Sequence, residues 1–530
     1  MSDPKRRRKS PAQGFPLNSD QALVVEYIVA GYWTVLFGGP GTGKSATLQA
    51  AFRRIVDETG RNDAALVCAP SAMAAKNLCD DGIPAATIHS CFGIRVPEGD
   101  APPVANLKPY KTIVSSIRAA TWLFIDELSM VPWMLLKAID DTCRRARAGM
   151  MVERISDPDA PPKEVIDASQ VPFGGLVLVA SGDLFQLPPV PTPGLPESAM
   201  SFVLSKQFQL MASERGAYEF LLQVNVRQEK GDPLLRHVTE MMEAGCISDE
   251  LRNLLDSRSL TGTGRPLPPD AIYITRTNKD KDEHNAKMRQ ELERKTPQAT
   301  IDAWPTFVAQ DTPPPPPFDP KEDVIFTQRY EAHQRYLDVA KQFRTPLSIR
   351  LLPGSRVRVA RNIYGRDGVI RDGVVRGALG TVIAWRQNMF EKGKAPTGDC
   401  KDGELVVTVH LDGHPGFSDI KSDPEPFYRN KICVATRIGV PLVDGYASTV
   451  DSTQSCTFHD SRGLINLERM DTSALGTAIS RFKRMDQVWT VGKLPRYVRP
   501  VRGEIMEFLT NLRKKFDDLK KEKEREKEKA

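Results

Sequence analysis

The chain has 530 residues, 40% of them hydrophobic and 26% charged, with a formal charge of +6. That length exceeds one ordinary core and points to roughly two to four domains, while apolar runs no longer than strands exclude a membrane-spanning helix. Residues 1–10 carry +4 and residues 513–530 carry +3, which leaves the body near −1, so net charge gives no reason for the folded body to bind nucleic acid.

The opening MSDPKRRRKS is basic and polar. It reads as a disordered arm over 1–14, either a nuclear localisation signal or a solvated tail, and not as a secretory leader. Cysteines at 68, 79, 91, 143, 246, 400, 433 and 456 form no C-x-x-C pair. Neither a zinc ribbon nor a dithiol motif is supported, and reduced thiols in an intracellular protein are expected. His410 and His414 stand four apart, but Gly413 breaks the helix that would align them, so no metal pair is expected.

From Phe15 to about Val190 the pattern alternates strand and helix. TVLFGG, AALVCAP, WLFIDE and GLVLVASGD are short apolar runs ending in small or acidic residues, the signature of buried parallel strands with working residues at their carboxyl ends. A second α/β set is expected from near Phe220, with AIYITRT, and again at DQVWTVG. Between them lie the proline-rich DTPPPPPFDP and then SRVRVARNIY, ALGTVIAW and ELVVTVHLDG. These alternate apolar and polar residues between glycine turns, which predicts antiparallel β. The E/K-rich C-terminus is expected to be a solvated helix or a disordered tail.

GGPGTGKS (Gly38–Ser45) follows an apolar strand and opens a helix. It is a P-loop: Gly39, Pro40, Gly41, Thr42 and Gly43 curl backbone N–H groups around phosphate oxygens, Lys44 reaches the β- and γ-phosphates, and Ser45 offers a hydroxyl to Mg²⁺. WLFIDE sets Asp126 and Glu127 at the end of a buried strand. Asp126 can hold the Mg²⁺ shell through water, and Glu127 can orient or deprotonate the attacking water. TNKDKD is similar to a guanine reader, but Lys281 occupies the carboxylate position, so adenine is favoured and ATP is the expected substrate.

LNSDQ, APSAMAAKNL, TIHSCFGI, IDELSMV, GDLFQLPPV, VNVRQ, SRVRVARN and TAISRFKR follow one another in this order. Together they resemble the motif series of superfamily-1 DNA helicases of the Pif/RecD group. The resemblance implies an α/β fold: two RecA-like P-loop domains with parallel sheets, plus inserted small β modules that include an SH3-like barrel. It places a first domain at 15–215, with room for a 1B insertion at 93–121. The second is split into 216–350, carrying the proline-rich loop 311–320, and 436–500. The barrel module occupies 351–435 and the charged tail 501–530.

The resemblance also implies roles. Gln21 reads the adenine edge and Gln186 senses the γ-phosphate or attacking water. Arg227 and Arg481 reach in from the second domain as arginine fingers. Pro70, His89 and Phe92 in the first domain, and Asn362 and Thr449 in the second, line a single-strand track on which Phe92 stacks a base. Two departures stand out. Ala72 and Met73 replace a usual Gly-Lys, with Lys76 one turn on. In YASTVDSTQSCTF, Asp451, Ser452 and Ser455 stand where the family run T-I-H-K-S-Q-G has His, Lys and Gly.

The expected activity is a monomeric, Mg²⁺- and ATP-dependent DNA helicase moving 5′ to 3′ on single strands and splitting duplexes, with replication or repair proteins as partners. An RNA-directed motor and a non-unwinding clamp are the alternatives.

Overall fold

The structure is a computed structural model. It describes residues 16–79, 82–94, 111–153, 165–188, 206–264, 271–312, 343–363, 374–387, 405–413, 416–429, 432–454, 456–458 and 461–529. The basic arm, most of the expected 1B insertion, residues 313–320 of the proline-rich loop, His414 and Ser455 lie outside the described residues. Two compact units are distinguished: Met1–Thr263 with Thr453–Phe458 and Leu467–Ala530, and Gly264–Ser452 with His459–Asn466.

The first unit is organised on a six-stranded sheet. Its strands are β1 (Thr34–Gly38), β2 (Ala65–Ala69), β3 (Ala85–Thr87), β4 (Trp122–Ile125), β7 (Val177–Gly182) and β8 (Tyr218–Leu222); a small antiparallel hairpin, β5 (Met151–Glu153) and β6 (Val165–Asp167), intervenes in the chain. The order is β3-β2-β4-β7-β1-β8, and the neighbours pair in parallel. Alternation along each strand divides the core between two faces. Val35, Phe37, Leu123, Ile125, Leu178 and Ala180 belong to one cluster, and Leu36, Phe124 and Val179 to the other. Both faces are covered by helices, so the strands read as continuous apolar runs.

Two sequence expectations change here. Residues 218–222, expected to open the second α/β set, are the sixth strand of the first sheet, in register Val35↔Glu219 and Phe37↔Leu221. The domain boundary at 216 therefore cuts through a continuous sheet. Of the two alternatives for the C-terminus the helix is found, Gly503–Lys529 over 27 residues, but one side of it is buried and not solvated. Leu509 and Leu512 are buried in the first cluster and Phe516 in the second, where its ring meets Phe220 edge-on at 5.4 Å. Among the described residues no helix is long and apolar enough to cross a membrane.

In the second unit, β9 (Ile272–Thr275) lies between two parallel partners described below. Thr277 caps the helix Asn278–Lys295 by accepting from the Asp280 N–H. The guanine-reader look-alike is thus a helix start. The antiparallel strands are β10 (Thr306–Val308), β11 (Gln310–Thr312), β12 (Ser348–Arg350), β13 (Arg356–Val359), β14 (Leu379–Gln387), β15 (Leu405–Leu411), β16 (Phe417–Lys421), β17 (Asp423–Arg429), β18 (Ile432–Gly439) and β19 (Leu442–Asp444). They form a five-stranded sheet, β16-β15-β14-β13-β19, a three-stranded sheet, β11-β18-β17, and the pair β10-β12. Antiparallel pairing thus extends on both sides of the expected 351–435. The partners of β9 are β20 (Ala447–Thr449) and β21 (Gly463–Asn466).

Candidate nucleotide site and nucleic-acid-facing residues

The P-loop joins the end of β1 to the helix Lys44–Thr59. Gly43 caps that helix at φ 83°, a left-handed backbone that a side chain would strain. A Cβ on Gly39 would meet Met242 Cε at 1.8 Å, so glycine there admits the close approach of the helix Pro233–Ala244. Lys44 is buried, and its ammonium donates to the Gly38 carbonyl at 2.8 Å and the Gly39 carbonyl at 3.0 Å. It also lies 3.9 Å from Asp183.

Three neighbouring strands, β4, β7 and β1, deliver their carboxyl ends to one place. Ser45 Oγ donates to Asp126 Oδ2 at 2.8 Å, and Ser181 of β7 donates to the other oxygen of the same carboxylate. Glu127 follows in a left-handed conformation, φ 54°, which costs an L-residue roughly 1–2 kcal/mol. Burial, and then the charge of Asp126, push the Glu127 carboxyl above its ordinary range; Lys44 and Arg481 oppose this. Gln186, buried just past β7, donates to Asp183 at 3.0 Å, and its Oε1 has no hydrogen-bond partner among the described residues.

Gln21 is held by a capping box with Asn18 and donates to the Thr42 carbonyl at 3.1 Å. Residues 225–228 close over the loop: Asn225 Nδ2 donates to the Pro40 carbonyl at 3.0 Å, and the Val226 N–H to the Gly41 carbonyl at 2.7 Å. Arg227 Nη1 donates to the Ser480 carbonyl at 3.0 Å. Burial and the like charge of Arg481 push its guanidinium down to about 10, against the pull of Glu127 and Asp183. Arg481 is 1% exposed and donates to the Thr477 and Cys456 carbonyls and to Ser480 Oγ. Burial lowers its pKa as well, while Glu127, Cys456 and Asp183 raise it. Contact clustering places both arginines in the same compact unit as the P-loop. Asn225, Ser181 and Asp183 were not singled out from sequence; the paired Gly-Asp of GDLFQ and the Asn of VNVRQ were the available signals.

The residues expected on a single-strand track divide between the units. Pro70 follows β2 and is half-buried. His89 is half-buried in the helix Ile88–Phe92, and burial pushes its pKa down. Phe92 is 0% exposed and packs with Cys68, Ile88 and Ile94, so it is a core residue and cannot stack on a base. Lys76 is half-buried on the helix Ala72–Cys79. In the second unit, Asn362 accepts from the Arg376 N–H at 2.9 Å, and Thr449 ends β20. The next residues, Val450–Thr453, make one helical turn. Gln454 is buried and donates to the Leu187 carbonyl at 3.1 Å, one residue past Gln186.

Residues 16–241 match the PIF1-like helicase family. The ATP-dependent DNA helicase PIF1 of Emericella nidulans is 24% identical over 94% of this chain and 64% of its own length. The protein of the same name from Saccharomyces cerevisiae is 29% identical over 48% of this chain and 26% of its own. The chain thus spans between about a quarter and two thirds of these relatives. Among solved structures, Pif1 helicase from Candida albicans shares the fold with a TM-score of 0.64 at 20% identity, over 94% of this chain and 100% of its own. Pif1 from Bacteroides, in complex with ADP-AlF3 and single-stranded DNA, also has a TM-score of 0.64, at 18% identity over 94% of this chain and 98% of its own. In its RecA-like architecture, its motifs in order and the family match over residues 16–241, the chain is similar to the PIF1-like helicases.

Proposed function

We propose that the protein is an ATP-dependent DNA helicase that moves 5′ to 3′ on single strands and unwinds duplexes, acting as a monomer. The observation that carries the ATPase part is the Ser45–Asp126 hydrogen bond of 2.8 Å, around which Lys44, Glu127, Gln186, Arg227 and Arg481 are gathered. A hydroxyl and a carboxylate beside a P-loop are the oxygen donors a hard cation takes, so the site suits Mg²⁺ held by Ser45 and, through water, Asp126. What the ion supplies when bound is neutralisation of charge on the transferring phosphoryl oxygens.

The side chains of the chain itself carry the remaining chemistry. Lys44 exchanges its two loop carbonyls for phosphate oxygens. Glu127, with its carboxyl raised, takes a proton from the attacking water. Gln186 has an unoccupied acceptor to orient that water, and the two guanidiniums stabilise the equatorial oxygens. Gln21 presents a carboxamide to the adenine edge. Nucleic acid is read through its backbone and not its sequence, with Pro70, His89, Asn362 and Thr449 as contacts. Solved complexes of Bacteroides Pif1 with single-stranded DNA support this reading.

Strand displacement on 5′- and 3′-tailed duplexes with ATP, beside ATPase assays with DNA and RNA oligomers, tests it. Displacement from 5′ tails only, with stronger stimulation by DNA, is expected. No displacement from either tail would refute unwinding, and displacement from 3′ tails would refute the direction.

A further inference from the structure

We propose that Asn225 is a positioning residue for ATP hydrolysis: its carboxamide fastens the turn that carries Arg227 and Gln228 to the phosphate loop, so that the loop sets where both arginines stand. The inference rests on the ATPase reading and names the side chain that joins the two halves of that site. The link begins in the sheet. β1 and β8 are parallel neighbours, with Gly38 in register with Leu222 at their carboxyl ends, so the P-loop and residues 223–228 leave the sheet side by side. A loop that curls its N–H groups around phosphate turns carbonyls outward. Two such carbonyls are taken by the neighbouring turn, that of Gly41 by the Val226 N–H at 2.7 Å and that of Pro40 by Asn225 Nδ2 at 3.0 Å. The other end of the same carboxamide faces its own chain: Asn225 Oδ1 accepts from the N–H groups of Arg227 at 3.0 Å and Gln228 at 3.3 Å.

The same turn reaches the segment of Arg481. Gln228 is 4% exposed, and its Nε2 donates to the carbonyls of Ser480 at 3.2 Å and Phe482 at 2.8 Å, the residues on either side of Arg481. Arg227 Nη1 shares the Ser480 carbonyl. A continuous series of hydrogen bonds therefore runs from Pro40 through Asn225 and Gln228 to both flanks of Arg481. The two guanidiniums are buried and repel each other, so their approach to one phosphate site has to be held by bonds of this kind. The fit is close. Gly41 has φ 81°, and a Cβ there would meet Asn225 Oδ1 at 2.7 Å, Arg227 Cβ at 2.8 Å and Gln228 Oε1 at 2.9 Å, so glycine lets the turn lie directly on the loop. Asparagine suits the junction because its short side chain has a donor at one end and an acceptor at the other, and it readily bonds backbone two residues on. A serine there still accepts from those N–H groups, but its oxygen sits one bond closer to the backbone and does not reach Pro40.

The test compares Asn225→Ala and Asn225→Ser with the wild type, as full chains with single-stranded DNA present. ATPase kinetics are measured beside the binding of fluorescent ADP with and without aluminium fluoride, which mimics the transferring phosphoryl group. Both variants are expected to lower kcat between about 10- and 100-fold, the effect of misplacing a catalytic group by about 1 Å. KM for ATP should stay within about threefold. ADP alone should bind as it does to the wild type, while the gain in affinity on adding aluminium fluoride shrinks by the same factor as kcat. A role in folding alone would lower the melting temperature and weaken both ligands alike. Asn225→Ser keeps the turn, so it carries the test even where Asn225→Ala fails to fold. Wild-type kcat in Asn225→Ser, or equal losses of affinity with and without aluminium fluoride, would overturn the proposal while leaving the ATPase reading intact. Absence of ATP hydrolysis by the wild type would overturn both.

Discussion

The hydroxyl of Ser45 donates to the carboxylate of Asp126 across 2.8 Å, joining the first turn after the P-loop to the end of β4. Ser45→Ala breaks that link and removes one oxygen from the proposed Mg²⁺ site. ATPase turnover is expected to fall about 100-fold, with the Mg²⁺ requirement displaced to higher concentration. Lys44→Ala should abolish hydrolysis altogether. Steady-state ATPase with Mg²⁺ titration measures both, and wild-type turnover by Lys44→Ala would contradict the site.

Arg227 and Arg481 differ in how tightly they are held, with one bond from the Arg227 guanidinium to a backbone carbonyl and two such carbonyls plus a hydroxyl for Arg481. Each is expected to act on the transition state. Arg227→Ala and Arg481→Ala should lower kcat by about 1000-fold while nucleotide affinity changes only a few-fold. Nucleotide binding by anisotropy and single-turnover hydrolysis separate the two effects.

His284 stacks on Tyr273 with ring centroids 4.1 Å apart, and burial, reinforced by Lys287, pushes its pKa down to about 4. A histidine depressed in the folded state contributes stability that is full above its ordinary value near 6.5 and lost as pH falls toward 4. Thermal melts of the wild type should therefore decline through that window. His284→Phe, which keeps a stacked ring without a proton to gain, should flatten the decline, and equal slopes for both proteins would remove His284 as its source.

Phe516 is 1% exposed and packs on Phe220. Phe516→Ala is expected to cost about 3–5 kcal/mol, readable as a lowered denaturant midpoint. If the midpoint were unchanged, the helix Gly503–Lys529 would not be part of the folded core.

The nucleotide pocket was legible because its chemistry is local: a strand, a glycine-rich turn and a helix start lie within a dozen residues, and the Asp126–Glu127 pair ends its own strand. The C-terminal helix was obscured by composition. Leu509, Leu512, Phe516 and Leu519 recur at helical spacing, but nine cations and six anions over residues 513–530 suggested a solvated face all round. Phe92 misled in the opposite sense, since an aromatic within a recognisable motif carries no mark of whether it points at a ligand or into the core.

The helix Gly503–Lys529 has a further consequence. β8 is the last strand of its sheet, and such an edge is a template for pairing with another chain. Leu509 and Leu512 join the cluster that holds Leu221, whereas Phe516 joins the one that holds Phe220 and Leu222. The helix therefore passes from one face of β8 to the other and shields the strand's open side. Shortening the chain before Gly503 would do more than weaken the core: it would uncover a ladder of unsatisfied backbone groups bordering the P-loop strand, and self-association through that edge would be the outcome to watch for.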